Sequence, residues 1–395
     1  MITYVESNER IDALTKRTAV ERVAFERAAG HFLACPVVAK LDSPRRNVSA
    51  MDGYAVRDSD IENLPARLTV SGVSYPGEAA RQNLAPGECH RVFTGAQVPD
   101  GADRVIIQED VLVDGNTVRF VVPAGKGRHI RTQGEDFLAG TTLLPAGSRL
   151  DARALVAGAA ADRRTVKIHR RPRLFAIGTG DELVPPGKAA TSKAAIPQSV
   201  TYGVCELARR WGAEVIGHTT LADDLKLLRR SARLALHDAD IVVVTGGASV
   251  GERDHARAMF DTTALEEIFA KVSIKPGKPA WLGQAGKTVV LGLPGNPTSA
   301  LVAARLFLAP LVVRISGGDP SIARGWRTVL LAGNLPQTGS RETFYRARWH
   351  EGQAAPLTDQ GSGSQKTLAQ ADLLLRRPAG SAAAACGEMV DALEF

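Results

Sequence analysis

Three glycine-rich strings in the second half of the chain carry the residue types and spacing best suited to chemistry. Thr245-Gly246-Gly247-Ala248-Ser249-Val250-Gly251 directly follows the apolar run Ile241–Val244. Glycines there let the backbone turn tightly and approach a ligand, so that successive N–H groups can cradle a phosphate where a helix begins. The string is neither the dinucleotide fingerprint nor the phosphate loop of nucleotide hydrolases, since it contains no Gly-Lys-Ser/Thr. Gly178-Thr179-Gly180-Asp181-Glu182 and Gly292-Leu293-Pro294-Gly295-Asn296-Pro297-Thr298-Ser299 stand in the same relation to the apolar runs before them. One such string alone fits a plain strand-to-helix turn, whereas three at strand ends of one sheet point to a ligand.

Carboxylates gather beside the same strings: Asp181, Glu182, Asp223, Asp224, Glu252 and Asp254. Oxygen ligands of this kind suit Mg²⁺, although any one of them, Asp224 above all, can instead cap a helix. As a set they would repel the phosphates that the loops attract unless a cation lies between, and a Mg²⁺-bound nucleotide meets both conditions. Lys275-Pro276-Gly277-Lys278-Pro279 sets two ammonium groups on a stiff turn, where they can share one small anion or simply face solvent. Arg346 and the Ser362/Ser364 loop would add donors if the C-terminal segment folds back over that turn. Ser49-Ala50-Met51-Asp52-Gly53-Tyr54 and Gly134-Glu135-Asp136-Phe137 set acidic residues among small ones without declaring a reaction. No Ser/His/Asp or Cys/His nucleophile arrangement stands out, and the eight His lack metal-ligand spacing. Cys35, Cys89, Cys205 and Cys386 stand far apart with no CxxC pair, which fits a reducing cytoplasm better than a disulfide framework.

The elements that must position these residues follow from periodicity. Leu174–Ile177, Glu214–Thr219, Ile241–Thr245 and Thr288–Leu291 read as short strands, with helical segments over Tyr202–Trp211, Asp224–Leu236 and His255–Phe260. Alternation of this kind predicts a parallel sheet with helices on both faces and ligands at the carboxyl ends of its strands. The first forty residues read as helical, with Val20–Ala29 a second amphipathic stretch ended by Gly30. From Asn47 to Lys126 short β-rich runs alternate with turn signals such as Pro86-Gly87 and Asp114-Gly115. The last 75 or so residues are again β-like.

The chain has 395 residues, 44% hydrophobic and 23% charged, which bounds it at roughly two to four globular domains. Its net charge of +7 invites an anionic partner, but 5% aromatic content and the lack of a recognition helix argue against nucleic acid. The N-terminus has no apolar core of a signal peptide. The longest apolar run, Leu301–Val313, is broken by Arg305 and Pro310 and is expected to be too short to span a membrane, so a cytoplasmic location is expected.

Taken in order, SAMDGYAV (49–56), FTGAQVPDGAD (93–103), RTQGEDFLAGTTLLPAG (131–147), GTGDEL (178–183), TGGASVGERD (245–254), KPGKP (275–279), GLPGNPTSAL (292–301) and SGSQKTLAQAD (362–372) resemble the molybdopterin molybdenumtransferase family. Its members include bacterial MoeA and the E domains of plant Cnx and animal gephyrin. The resemblance implies an elongated, multidomain α/β subunit that forms a homodimer. Its parts would be a linking domain at 20–46 and 127–170, a β-rich domain at 47–126, a doubly wound molybdopterin-binding domain like that of MogA at 1–19 and 171–316, and a β-barrel-like domain at 317–395. It implies Mg²⁺-dependent insertion of molybdate into adenylylated molybdopterin with release of AMP. The implied metal ligands are Asp254 and Asp223, or its neighbour Asp224. Glu182 and Asp136 look like acidic residues required for turnover. Asp52 and Thr94 match motifs that a partner subunit contributes to the same cleft. Gly246, Gly247, Ser249, Lys275, Lys278, Pro294, Pro297, Ser299, Arg346 and Ser362 match positions that bind the substrates. Transient contact with molybdopterin adenylyltransferase and molybdoenzyme chaperones is also implied, and some members act as scaffolds for partner assemblies.

Three departures from the family pattern concern the pterin side. Ile196-Pro197-Gln198-Ser199-Val200 replaces an Asp-Ser-Asn-Ser-like run, with Gln198 standing in for the Asn. Arg45-Arg46-Asn47-Val48 is more basic than the usual Phe-Asp pair, and Gly178-Thr179-Gly180 replaces Ser-Thr-Gly.

Overall fold

The computed structural model describes residues 1–78, 83–246 and 255–395, with Thr191 by its backbone alone. The chain forms two compact units. One comprises residues 1–35, 146–151 and 167–395; the other comprises 36–145 and 152–166.

The larger unit is built on a six-stranded sheet in the order Glu214–Leu221, Arg173–Thr179, Ile241–Thr245, Thr288–Leu293, Trp281–Ala285, Leu265–Ala270. The first four strands are parallel. Trp281–Ala285 runs antiparallel to both its neighbours, Thr288–Leu293 and Leu265–Ala270, which corrects the expectation of a purely parallel sheet. The Trp281–Ala285 strand returns to Thr288 through a two-residue link containing Gly286 at φ 58°, and a hairpin this tight forces antiparallel pairing. The central strand Ile241–Thr245 is buried throughout, and apolar up to Val244, because both its faces are covered. Ile241 and Val243 pack with the helices Val200–Arg210 and Pro297–Ala303, while Val242 and Val244 pack with Leu225–Asp238 and with Met259 and Phe260.

Helix continues without a break from Pro297 to Ile315 through a π-helical stretch at Ala304–Leu308. These 19 residues are long and apolar enough to cross a membrane, contrary to the expected interruption at Arg305 and Pro310, but 89% of their most apolar 18-residue window is buried inside the fold. Arg305 is accommodated because its guanidinium donates to the carbonyl oxygens of Glu394 (2.6 Å) and Ala323 (2.8 Å). Pro310 falls where the π-helical stretch gives way to α-helix.

The N-terminal segment also departs from expectation. Only Tyr4–Asp12 is α-helical, opened by a reciprocal Thr3/Glu6 capping box. Val20–Ala24 is a strand in a three-stranded sheet with Thr165–His169 and Phe32–Leu33. Its apolar residues lie at helical spacing, but none of the five is buried. With no packing to reward a helix, the β-branched Val20 and Val23 take their preferred extended state and the ladder supplies the backbone hydrogen bonds. The C-terminal sheet of this unit runs Ile274–Lys275, Glu342–His350, Leu373–Arg377, Met389–Glu394, Arg327–Leu330. The smaller unit carries an independent six-stranded sheet with its own core around Val56, Cys89, Val118 and Phe120.

Candidate functional site

Thr179, Gly246 and Gly295, one from each glycine-rich string of the larger unit, come together at the carboxyl ends of its parallel strands. A methyl group on Gly246 (φ 97°) would lie 2.3 Å from the Thr179 carbonyl oxygen, and one on Gly295 would lie 3.3 Å from the Gly246 Cα. Only glycine permits the approach at Gly246, and Gly295 leaves a side chain little room, so these positions bring the strand ends into contact. Beyond them opens a cleft of about 500 Å³ lined by Gly180, Glu182, Gln198, Asp223, Gly246, Pro294, Asn296 and Pro297, among others.

The acidic wall of this cleft is under electrostatic stress. Desolvation raises the carboxyl of Asp223 above the usual aspartate range, and the negative charges of Asp181 and Glu182 raise it further, with His255 opposing. Asp223 donates its backbone N–H to Asp181 Oδ1 at 2.9 Å, while its own Oδ1 is buried without a hydrogen-bond partner. Asp224, the alternative, is committed elsewhere: its Oδ1 accepts from the N–H groups of Lys226 (2.8 Å) and Leu227 (3.2 Å) and caps the helix that starts at Leu225. Thr179 Oγ1, Gln198 Nε2 and Thr201 Oγ1 are likewise buried and unpartnered. Three of these groups, on Asp223, Thr179 and Gln198, belong to residues that line the cleft; unsatisfied, each would cost about 1–3 kcal/mol in an ordinary core, which marks the cleft as a place where a ligand supplies partners. Gly247, Ser249 and Asp254, with Glu252, lie outside the described residues.

A second cavity of about 510 Å³ adjoins the first and shares Pro279, Pro294 and Asn296 with it. Its character is opposite. Lys275 and Lys278 line it, held on a tight turn in which Val272 N–H donates to Lys278 O and Ala280 N–H to Gly277 O. Strand Ile274–Lys275 pairs in parallel with Glu342–Thr343, so the turn and the C-terminal sheet form one structure. That pairing brings in Arg341, Thr343 and Tyr345, residues that spacing gave no reason to select. Ser299 and Ser362 complete the wall, and Thr298 N–H donates to Ser362 O at 3.1 Å, tying the loop to the helix.

Arg346 does not line this cavity. It is fully buried beneath the loop, where Nη2 donates to the carbonyl oxygens of Asp359 (3.0 Å) and Gly361 (3.2 Å). Its Nε and Nη1 have no partner, and burial pulls its basicity down. Its direct work is to position the loop that carries Ser362.

Asp52, Thr94 and Asp136 belong to the smaller unit. Thr94 donates both its N–H (2.7 Å) and its hydroxyl (2.8 Å) to Asp52 Oδ1, which holds that carboxyl below the usual range. Asp136 is exposed in the turn after Gly134 and donates its N–H to Ser43 O.

The sequence matches agree with this arrangement. Residues 2–161 match the family described as MoeA N-terminal region (domain I and II), 175–314 the probable molybdopterin binding domain, and 328–395 the MoeA C-terminal region (domain IV). A molybdopterin molybdenumtransferase of Nostoc is 32% identical over 98% of this chain and 91% of its own length. The chain belongs to the molybdopterin molybdenumtransferase family. A Haemophilus influenzae member of this transferase family is 31% identical over 92% of the chain and 90% of its own length. Crystal structures of the molybdopterin biosynthesis MoeA protein from Pyrococcus horikoshii superpose over the whole chain with TM-scores of 0.81 and 0.87, at 28% and 25% identity, covering 99% and 100% of the solved chains. The multidomain α/β class expected for the family is the class observed.

Proposed function

We propose that this chain inserts molybdate into adenylylated molybdopterin with Mg²⁺ present, releasing AMP and the finished molybdenum cofactor. The observation that carries the reading is the contiguity of two clefts of opposite character, sharing three residues. A carboxylate-walled, glycine-lined cleft suits a metal-bound adenylyl phosphate, and a basic pocket beside it suits a hard tetrahedral oxyanion. The enzyme's work is to hold two anions side by side that would otherwise repel each other.

Oxygen donors fit Mg²⁺ here, the orphaned Oδ1 of Asp223 above all. Among the described residues no three His, Cys, Asp or Glu side chains form a complete metal site, and Asp254 is the second ligand we assign. When bound, the ion neutralises charge on the phosphates. Lys275, Lys278, Arg341, Ser299 and Ser362 bind molybdate, Arg346 positions the Ser362 loop, and Glu182 works at the cleft rim. Asp136 is required for turnover, and Asp52 and Thr94 act from a partner subunit in a homodimer. The four-domain division given above, a cytoplasmic location and transient docking of the adenylyltransferase and of molybdoenzyme chaperones belong to the same proposal.

The test is AMP release from adenylylated molybdopterin supplied with Mg²⁺ and molybdate. A folded protein that releases no AMP refutes turnover and leaves the scaffold role seen in some members. Asp254→Asn should abolish release, and unchanged turnover would refute the metal assignment.

A further inference from the structure

Another cavity, of about 470 Å³, shares no lining residue with the two clefts. Trp211 in its wall stands just before the amino end of strand Glu214–Leu221, whereas Asp223 follows the carboxyl end of the same strand. Arg149, Arg210, Arg305 and Arg327 line it against one carboxylate side chain, Glu394. This is a dense concentration of positive charge in a chain whose net charge is +7. Glu394 pairs with Arg327 at 2.6 Å. Arg210 donates to the main-chain oxygen of Phe395 at 3.0 Å. Arg305, 4% exposed, lies over the Trp211 ring at 4.9 Å and gives its donors to carbonyl oxygens. Neutral carbonyl oxygens fix the Arg305 guanidinium without neutralising it. The charge is costly: burial, with repulsion from Arg210, pulls Arg305 down to about 10. On the same wall the Trp211 indole N–H is buried and has no acceptor.

An anion resolves both costs, and arginine forks match the geometry of phosphate oxygens. We propose that this cavity binds a phosphate group, either free or carried by a nucleotide. The site is independent of the molybdate reaction and uses none of its residues.

Isothermal titration of the full chain with inorganic phosphate, AMP and adenosine, at ionic strength fixed with NaCl, tests the proposal. A chain carrying Lys275→Ala and Lys278→Ala removes the competing basic pocket. In that background phosphate and AMP should still bind and adenosine should not. AMP tighter than phosphate assigns a nucleotide; equal affinities assign free phosphate. Arg149→Gln and Arg210→Gln should each weaken binding tenfold or more, with circular dichroism and the ligand-free melting temperature confirming the fold. Binding lost with the lysines but unchanged by the arginine substitutions, or adenosine binding as tightly as AMP, would overturn the proposal.

Discussion

Gly178 and Gln198, two separate departures from the family pattern, are one packed unit in the structure. A methyl group on residue 178 would lie 2.2 Å from Gln198 Nε2 and 3.3 Å from Thr201 Cγ2. Gln198 is 3% exposed, and its Oε1 accepts from Val200 N–H at 2.9 Å. With ordinary contacts near 3.5–4.0 Å, Gly178→Ala must push the amide aside by more than about 1 Å. It then incurs an overpacking cost of about 1–3 kcal/mol and loses a hydrogen bond worth about 1 kcal/mol. Gln198→Ala loses that same bond and leaves space. In the double variant the added methyl has no amide to meet and the shared bond is lost only once, so the cost should fall by about 2–4 kcal/mol relative to the sum of the singles. Urea unfolding followed by tryptophan fluorescence is the assay, because all four Trp residues (211, 281, 326 and 349) lie in the larger unit with this pair. Additivity within about 0.5 kcal/mol would refute the steric coupling.

Four further outcomes follow from the site. Lys275→Ala should weaken molybdate by about 1.5–3 kcal/mol, or roughly ten- to 150-fold, read as the molybdate concentration at half-maximal AMP release. Arg346→Lys should raise the same constant through a displaced Ser362 loop while leaving the helix content unchanged, because one ammonium cannot span the Asp359 and Gly361 carbonyls in the guanidinium's geometry. Asp240→Asn tests acid stability. Burial alone would raise the Asp240 carboxyl, but hydrogen bonds from Arg170 (2.6 and 3.0 Å) and Arg173 N–H outweigh it and hold it below the unfolded value. A depressed carboxylate stabilises above its unfolded pKa of about 3.9 and loses that contribution as pH falls through the folded value, so urea midpoints of the wild type should drop below about pH 4 more steeply than those of the variant. Thr94→Val removes one of two donors to Asp52, whose carboxyl, titrated by NMR, should move up toward the ordinary aspartate range; no movement would refute the assigned cause.

The four parallel strands of the larger sheet were legible because each is a short apolar run that leads into glycine or aspartate, and Ile241–Thr245 falls where the pattern places it, whereas Leu265–Ala270 was not read from the pattern. Val20–Ala24 was not legible: helical spacing of apolar residues carries no information when none of them is buried. The direction of Trp281–Ala285 was hidden for a related reason, since apolar content does not encode the sense of pairing. At the site, the carboxylates and lysines declared themselves by type and clustering. Arg341 did not, because its place depends on strand Ile274–Lys275 joining a sheet whose next member begins at Glu342, far along the chain.

By itself, then, the sequence determined the family, the glycine-rich strand ends and the chemistry of the residues beside them. Those are local properties of side-chain type and backbone freedom. Tertiary structure alone decided that Asp223 faces the cleft while its neighbour Asp224 caps a helix, and that Arg346 supports a loop instead of lining a wall. Adjacent aspartates have the same intrinsic chemistry, and an arginine has the same five donors wherever it stands. Which groups meet a ligand and which satisfy the backbone is fixed by where the fold leaves polar atoms buried without partners.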